Sequence, residues 1–151
     1  MESRALVWFG GGFVAAIGIG WVAALLHASG RAPLGLMSLG VGLALGATLA
    51  GLAATQRVAD PPPPPPRTVI LAFITVLAEH AWLYRDFRRQ WHEARAESAE
   101  VALFRPAAPW SPAEYFAREL TPGRAALWGV DAALLTAAAV GTVAFWQRQS
   151  K

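Results

Sequence analysis

Five ionisable side chains could do chemistry within the apolar parts of this sequence: His27, Glu79, His80, Arg124 and Asp131. Ionisable residues at membrane depth are costly to place there, and they commonly mark proton or ion pathways. One interpretation makes Glu79 and Asp131 a pair that binds a proton or a cation inside a helix bundle. A more remote interpretation makes His27 and His80 the two axial ligands of a haem held between parallel helices.

A third interpretation assigns these side chains no chemistry. Glu79 and His80 then lie near the membrane surface, and Asp131 is hydrogen-bonded or ion-paired to Arg124 or His80. A di-metal carboxylate site is not favoured, because it requires paired Glu-x-x-His motifs. Glu79 and His80 are adjacent, so their side chains diverge by about 100° on a helix. We therefore predict no metal site and no bound cofactor.

Other chemistry has little basis in the sequence. The chain has no cysteine, which excludes disulfides, thiolate metal sites and cysteine nucleophiles. It has no Gly-x-Ser-x-Gly, phosphate-binding or His-Glu-x-x-His motif, so we predict no catalytic residues and no enzyme. The net charge is only +3, without the basic patch on a soluble fold that nucleic-acid binding needs.

The elements that position these residues are long apolar segments. Between Ala5 and Ala54 the only formally charged residue is Arg31, and a helix needs roughly 20 apolar residues to cross a bilayer. We predict an all-α polytopic membrane protein, a single membrane domain over residues 1–151 with four spans at about 5–26, 34–54, 68–84 and 125–146. The first span exceeds the roughly 7–15 apolar residues of a signal peptide, so we expect a retained anchor.

The alternation of four spans places the candidate residues at one end of the bundle. The first and third helices run in the same direction, and His27 and His80 lie towards their exits. Asp131 lies about two turns into the fourth helix, which enters from that same side. All five candidates are therefore predicted to share the leaflet next to the long third connection.

Small residues recur every fourth position in the first two spans. The first series is Gly12, Ala16, Gly20 and Ala24, and the second is Gly42, Gly46, Ala50 and Ala54. In lipid, helices associate through close backbone contact, which small residues allow. With a short connection between them, the two helices are predicted to form an antiparallel hairpin, although the series could alternatively mediate homodimerisation.

The connections around the third span carry three further elements. Residues 60–67 contain six consecutive prolines and are predicted to form a polyproline II linker, with a docking peptide as the alternative. Residues 85–104 are predicted to form an amphipathic helix that continues the third span. Residues 112–120 are predicted to form a helix, because Ser111, Pro112 and Glu114 fit its N-cap, first position and capping-box acid. Its aromatic residues predict that it lies at the membrane interface; they are Trp110, Tyr115 and Phe116.

The amphipathic helix has a basic flank with an aromatic neighbour. This set could be a surface for lipid head groups or a partner subunit, or the flank of a solvated helix packed on its own neighbours. The residues are Arg85, Arg88, Arg89, Arg95 and Trp91.

Positive charges near span ends favour the cytoplasm. The side with the termini has Arg4, Arg57, Arg67, Arg148 and Lys151. The other side has Arg31, Arg85, Arg88, Arg89, Arg95, Arg105, Arg118 and Arg124. The long loop 85–124 is therefore predicted to be cytoplasmic. The abundance of alanine, glycine, proline and arginine is typical of a bacterial chain, and hence of the bacterial inner membrane.

The predicted function is a non-catalytic accessory, scaffold or assembly subunit of a membrane complex, either homo-oligomeric or bound to a larger membrane protein. The alternative is a small transporter or channel protomer that uses Glu79 and Asp131. A haem-binding membrane subunit, using His27 and His80, is the more remote alternative.

Overall fold

The chain is almost entirely helical. The computed structural model describes residues 2–29, 35–55, 65–97 and 108–149. Helix accounts for 93% of these residues, and no strand occurs among them. The helices are α1 (Glu2–Ala28), α2 (Leu36–Thr55), α3 (Pro65–Glu97), α4 (Pro112–Glu119) and α5 (Pro122–Gln149). All but α4 are long and apolar enough to cross a membrane, which confirms the prediction of an all-α polytopic membrane protein.

The third helix begins earlier than the sequence predicts and runs far beyond its apolar part. Pro65 and Pro66 lie in its first turn, not in a polyproline II linker. Proline is tolerated there because its missing N–H would have no intrahelical partner. Residues 60–64 lie outside the described residues, as does the end of the predicted amphipathic helix, residues 98–104. Up to Glu97 the span and the amphipathic segment are one continuous helix.

The four long helices form a ring in which parallel neighbours make the largest contacts. α1 packs mainly against α3, and α2 packs mainly against α5. Smaller contacts join α1 to α2 and α3 to α5, closing the ring. The buried core is drawn from all four helices: Trp8, Ala16, Ala23, Val41, Leu45, Leu49, Ala53, Leu71, Ala72, Leu135, Ala139 and Val143.

The two series of small residues serve contacts that the sequence did not assign to them. A Cβ atom added to Gly20 would lie 2.6 Å from the Thr75 carbonyl oxygen of α3. One added to Gly46 would lie 2.8 Å from the Ala139 carbonyl oxygen of α5. The close packing therefore runs between the first two spans and the last two. Within the first series, Gly12 also meets the neighbouring α2, where its added Cβ would lie 2.9 Å from Leu49.

The α1–α2 contact is stabilised by a large side chain and not by a small one. Trp8 is completely buried, and its indole Nε1–H donates to the Leu49 carbonyl oxygen at 3.0 Å. A buried indole requires such a partner, because an unpaired N–H in an apolar interior is costly. The predicted antiparallel hairpin is present, but a tryptophan contributes to it where a ladder of small residues was expected.

Candidate functional site

His27 and Glu79 meet at one end of the bundle. The His27 Nδ1 atom lies 3.3 Å from the Glu79 Oε1 atom, which joins the end of α1 to α3. The Glu79 side chain is 13% exposed, whereas that of His27 is 57% exposed. The acid is thus set within the α1–α3 contact, and the imidazole closes over it from the side of the solvent or the lipid head groups.

Asp131 bonds to a residue that the sequence analysis did not nominate. The Ser38 hydroxyl donates to the Asp131 Oδ1 atom at 3.0 Å, which joins α2 to α5. The predicted partners, Arg124 and His80, are not the ones used. Arg124 forms an ion pair with Glu119 of α4. Distance explains this pairing. Arg124 is about 10 Å along the helix from Asp131, whereas Glu119 lies across the short α4–α5 turn.

One feature of the sequence could have found Ser38. It stands four residues before Gly42, so it continues the line of small residues on α2. The three contacts Ser38–Asp131, Gly42–Leu135 and Gly46–Ala139 all join residues whose numbers differ by 93. A single register between parallel helices therefore sets the polar pair and the two glycine contacts together.

His80 lies between α3 and α5 with one ring nitrogen engaged. Its Nδ1 atom is 2.8 Å from the Val76 carbonyl oxygen, an acceptor, so Nδ1 carries the proton that is donated. Its ring meets the Trp128 ring edge-on, with centroids 3.9 Å apart. His27 and His80 are thus engaged separately, the first by Glu79 and the second by Val76 and Trp128. This geometry gives no support to the haem interpretation.

Charge nevertheless gathers at this end of the bundle. The carboxylates of Glu79, Asp131 and Glu119 are all near enough to His27 to interact with it electrostatically. Within the described ranges, no three His, Asp or Glu side chains form a group that could hold a metal ion. The arrangement therefore offers one titratable imidazole, His27, beside the Glu79 carboxylate.

A second site consists of six rings, which we call the aromatic cluster. Its members are Tyr84, Phe87, Trp91, Trp110, Tyr115 and Phe116. Phe87 is central, with its centroid 5.0 Å from that of Tyr115 and 5.3 Å from that of Trp110. The Tyr84 hydroxyl donates to the Trp110 carbonyl oxygen at 2.9 Å. The cluster therefore fastens α4 and the segment before it to the part of α3 beyond the span.

The cluster shows where Trp91 and the aromatic residues around α4 lie. Trp91 is 7% exposed, so it lies beneath the basic surface of α3 and not on it. Trp110, Tyr115 and Phe116, the aromatic residues of the predicted interfacial segment, pack against α3. Burial in the cluster raises the pKa of the Tyr115 hydroxyl. Phe116 also meets Trp128, with centroids 6.5 Å apart, which links the cluster to the ring beside His80.

The arginines of α3 differ in the side chains that contact them. Arg89 pairs with Asp86 at 2.7 Å and with Glu93 at 3.8 Å, one turn away on each side. Arg85 has its guanidinium carbon 4.8 Å from the centre of the Trp82 ring. Arg88 is exposed. The basic flank thus contains both internally neutralised and available cations.

Helix α4 is anchored at its start by the capping box. The Ser111 backbone N–H donates to Glu114 Oε2 at 2.8 Å, and the Glu114 N–H donates to Ser111 Oγ at 3.3 Å. The bond from the Ser111 N–H lowers the pKa of the Glu114 carboxyl. The short helix is therefore held by its own cap as well as by the aromatic cluster.

Comparison with protein-family models, with curated proteins and with solved structures finds no match to this chain. Two features of the described residues bear on function: the polar contacts at one end of the bundle and the surfaces that the bundle and the aromatic cluster leave exposed.

Proposed function

We propose that this integral membrane protein is a non-catalytic accessory, scaffold or assembly subunit of a membrane complex. The observation that carries the proposal is that each acid at membrane depth contacts a side chain of another helix. Glu79 contacts His27 across α1 and α3, and Asp131 accepts from Ser38 across α2 and α5. Interhelical polar contacts of this kind hold transmembrane helices together. The acids are thus used for structure.

The outward face of α2 supports the presence of a partner. Gly40, Ala44, Thr48 and Gly51 are all exposed and lie three or four residues apart. Apart from the adjoining backbone of α2 itself, no atom of the described residues lies within 4 Å of a Cβ built on Gly40 or Gly51. A helix face of small residues lets the backbone of another helix approach closely. The inward series cannot serve that purpose, because Gly42 and Gly46 are covered by α5.

Single cysteines test this proposal cleanly, because the chain has none of its own. We expect Gly40→Cys and Gly51→Cys to cross-link in native membranes, to a second copy or to a larger membrane protein identified by mass spectrometry. The matched control is Phe73→Cys, on the exposed apolar face of α3, which should remain uncross-linked. A strictly monomeric, partner-free particle in mild detergent, with no α2 cross-link, would contradict the proposal.

We also propose that the protein resides in the bacterial cytoplasmic membrane with loop 85–124 on the cytoplasmic side. The support is the excess of arginine on that side of the predicted topology, counted close to span ends. Ser111→Cys reports the orientation, since Ser111 is exposed before α4. A membrane-impermeant maleimide should label it in inverted vesicles and not in right-side-out vesicles; the reverse pattern would contradict the orientation.

A small transporter or channel protomer is the second candidate. It is favoured by the electrostatic reach of both Glu79 and Asp131 to His27, which brings two acids to one titratable group. Glu79→Gln and Asp131→Asn decide between the candidates in liposomes. Loss of proton or cation flux with intact assembly would favour transport.

A haem-binding subunit is the more remote alternative, and the absence of a Soret band from purified protein removes it.

A further inference from the structure

The lipid-facing side of α3 leads directly into two arginines. Ile70, Phe73 and Leu77 are 48%, 59% and 54% exposed, so they form the outer apolar face of this span. Residues at the same three- or four-residue spacing beyond Leu77 lie on the same face. They are Ala81, which is exposed, and then Arg85 and Arg88. The face that meets acyl chains therefore presents two guanidinium groups where the apolar part ends, and we name Arg85 and Arg88 the terminal arginine pair.

Two tryptophans mark the depth of these arginines. The Trp21 and Trp82 rings, from the parallel helices α1 and α3, have centroids 6.2 Å apart. Trp21 is 47% exposed, so this ring pair faces outward from the bundle. Tryptophans on such a face lie at the level of the lipid head groups. Arg85 lies within one turn of Trp82 and over its ring, which places its charge at the membrane surface.

The terminal arginine pair is available, unlike its neighbours. Among the described side chains, no carboxylate lies within ion-pair distance of Arg85 or Arg88. Arg89 on the same helix is held by Asp86 and Glu93, and Arg124 is held by Glu119. The face that the lipids cover thus presents two cations that no described carboxylate neutralises.

We propose that the terminal arginine pair, together with Trp82 and Trp21, binds the headgroup of an anionic phospholipid. The guanidinium groups donate paired N–H bonds to the phosphate oxygens, a geometry that arginine matches better than lysine. The acyl chains of the same lipid lie along Leu77 and Phe73. A zwitterionic lipid is disfavoured, because its own cationic group meets the second arginine.

Lipid binding to the purified full-length chain tests the site. Native mass spectrometry in mild detergent would compare the binding of phosphatidylglycerol with that of phosphatidylcholine. We expect the wild-type chain to prefer phosphatidylglycerol, with a loss of about fivefold in that preference for each arginine removed. Arg85→Gln with Arg88→Gln should therefore bring the two lipids close to parity.

Arg89→Gln is the matched control, since it removes the same charge from the same helix. It should keep the preference within about twofold of wild type, because Arg89 is already neutralised. Arg85→Lys with Arg88→Lys keeps the charge but loses the paired N–H geometry, so its preference should fall between those of the wild type and the glutamine variant. It keeps the test decisive if the glutamine variant folds poorly.

Any of four results would overturn the proposal. These are an equal loss in Arg89→Gln, a lysine variant as weak as the glutamine variant, no preference in the wild-type chain, and displacement of the lipid by millimolar inorganic phosphate.

Discussion

The inside of the helix ring and the aromatic cluster are held together by opposite kinds of residue. In the ring, glycines bring backbones together, as where Gly20 meets the Thr75 carbonyl and Gly46 meets Ala139. In the aromatic cluster, rings such as Phe87 and Trp91 fill the space between α3 and α4. At these glycines the ring has no room for added atoms, whereas the aromatic cluster depends on large side chains being present.

The surrounding medium explains this difference. A lipid tail is as apolar as a leucine side chain, so burial inside the bilayer contributes little to helix association and close approach contributes most. Beyond the span, burying a ring removes apolar surface from water, which is worth about 25 cal/mol per Å². The same chain thus uses two packing strategies on one continuous helix, α3. A change to the packing of one region should therefore leave the packing of the other intact.

The largest effect is expected for truncation within the aromatic cluster. Trp91→Ala should weaken the docking of α4 on α3 by about 3 kcal/mol, because the variant removes a buried ring and leaves a cavity. Hydrogen exchange of residues 112–119 would measure the loss. Phe145→Ala is the control, since its ring is 63% exposed on α5, and it should change stability little. Equal effects of the two variants would contradict the distinction between the two regions.

Enlargement within the ring should have the next largest effect. A Cβ on Gly42 would collide with the Leu135 carbonyl oxygen and lie 2.8 Å from the Ala138 Cβ. Gly42→Ala should therefore cost about 1–3 kcal/mol of unfolding free energy, which is the usual cost of overpacking. Unfolding by a denaturing detergent would measure it. Gly40→Ala, two residues away with open space around it, should be neutral or slightly stabilising.

A smaller effect is expected at the polar pair that shares the register of Gly42. Ser38→Ala leaves Asp131 without the hydroxyl donor, and interhelical hydrogen bonds in membranes average about 0.6 kcal/mol. The same unfolding measurement applies. Thr48→Ala is the control, because the Thr48 hydroxyl bonds only within its own helix, to Ala44. A loss as large as that of Gly42→Ala would show that the polar contact, and not close approach, dominates the α2–α5 contact.

The smallest effect is a pH dependence at the start of α4. The pKa of Glu114 is lowered in the folded state by the Ser111 N–H bond, so the carboxylate form stabilises the cap. That contribution is present above the ordinary glutamate pKa and is lost as the pH falls through the lowered folded value. The protection factors of the amides of residues 113–115, which correct for the intrinsic pH dependence of exchange, should therefore fall in acid. Glu114→Gln should remove this pH dependence, while the pH response of α5 amides stays unchanged.

The sequence by itself determined that the chain lies in a lipid bilayer and where most of its helices are. Long apolar segments such as Leu36–Thr55 specify spans, because a bilayer requires its backbone groups to be bonded within helices. The alternation of spans also predicted that His27 and Glu79 lie at the same end. The Ser-Pro-x-Glu pattern from Ser111 to Glu114 indicated the start of α4, because capping is a local interaction.

Only the tertiary structure decided which helix each face meets. Periodicity orients Gly20 and Gly42 relative to their own helix axes, but it does not order four helices around a ring. Parallel pairing of α2 with α5 then chose Ser38 for Asp131, and the return of α4 onto α3 buried Trp91. These contacts join residues far apart in the chain, so their partners depend on the packing of whole helices and not on local spacing.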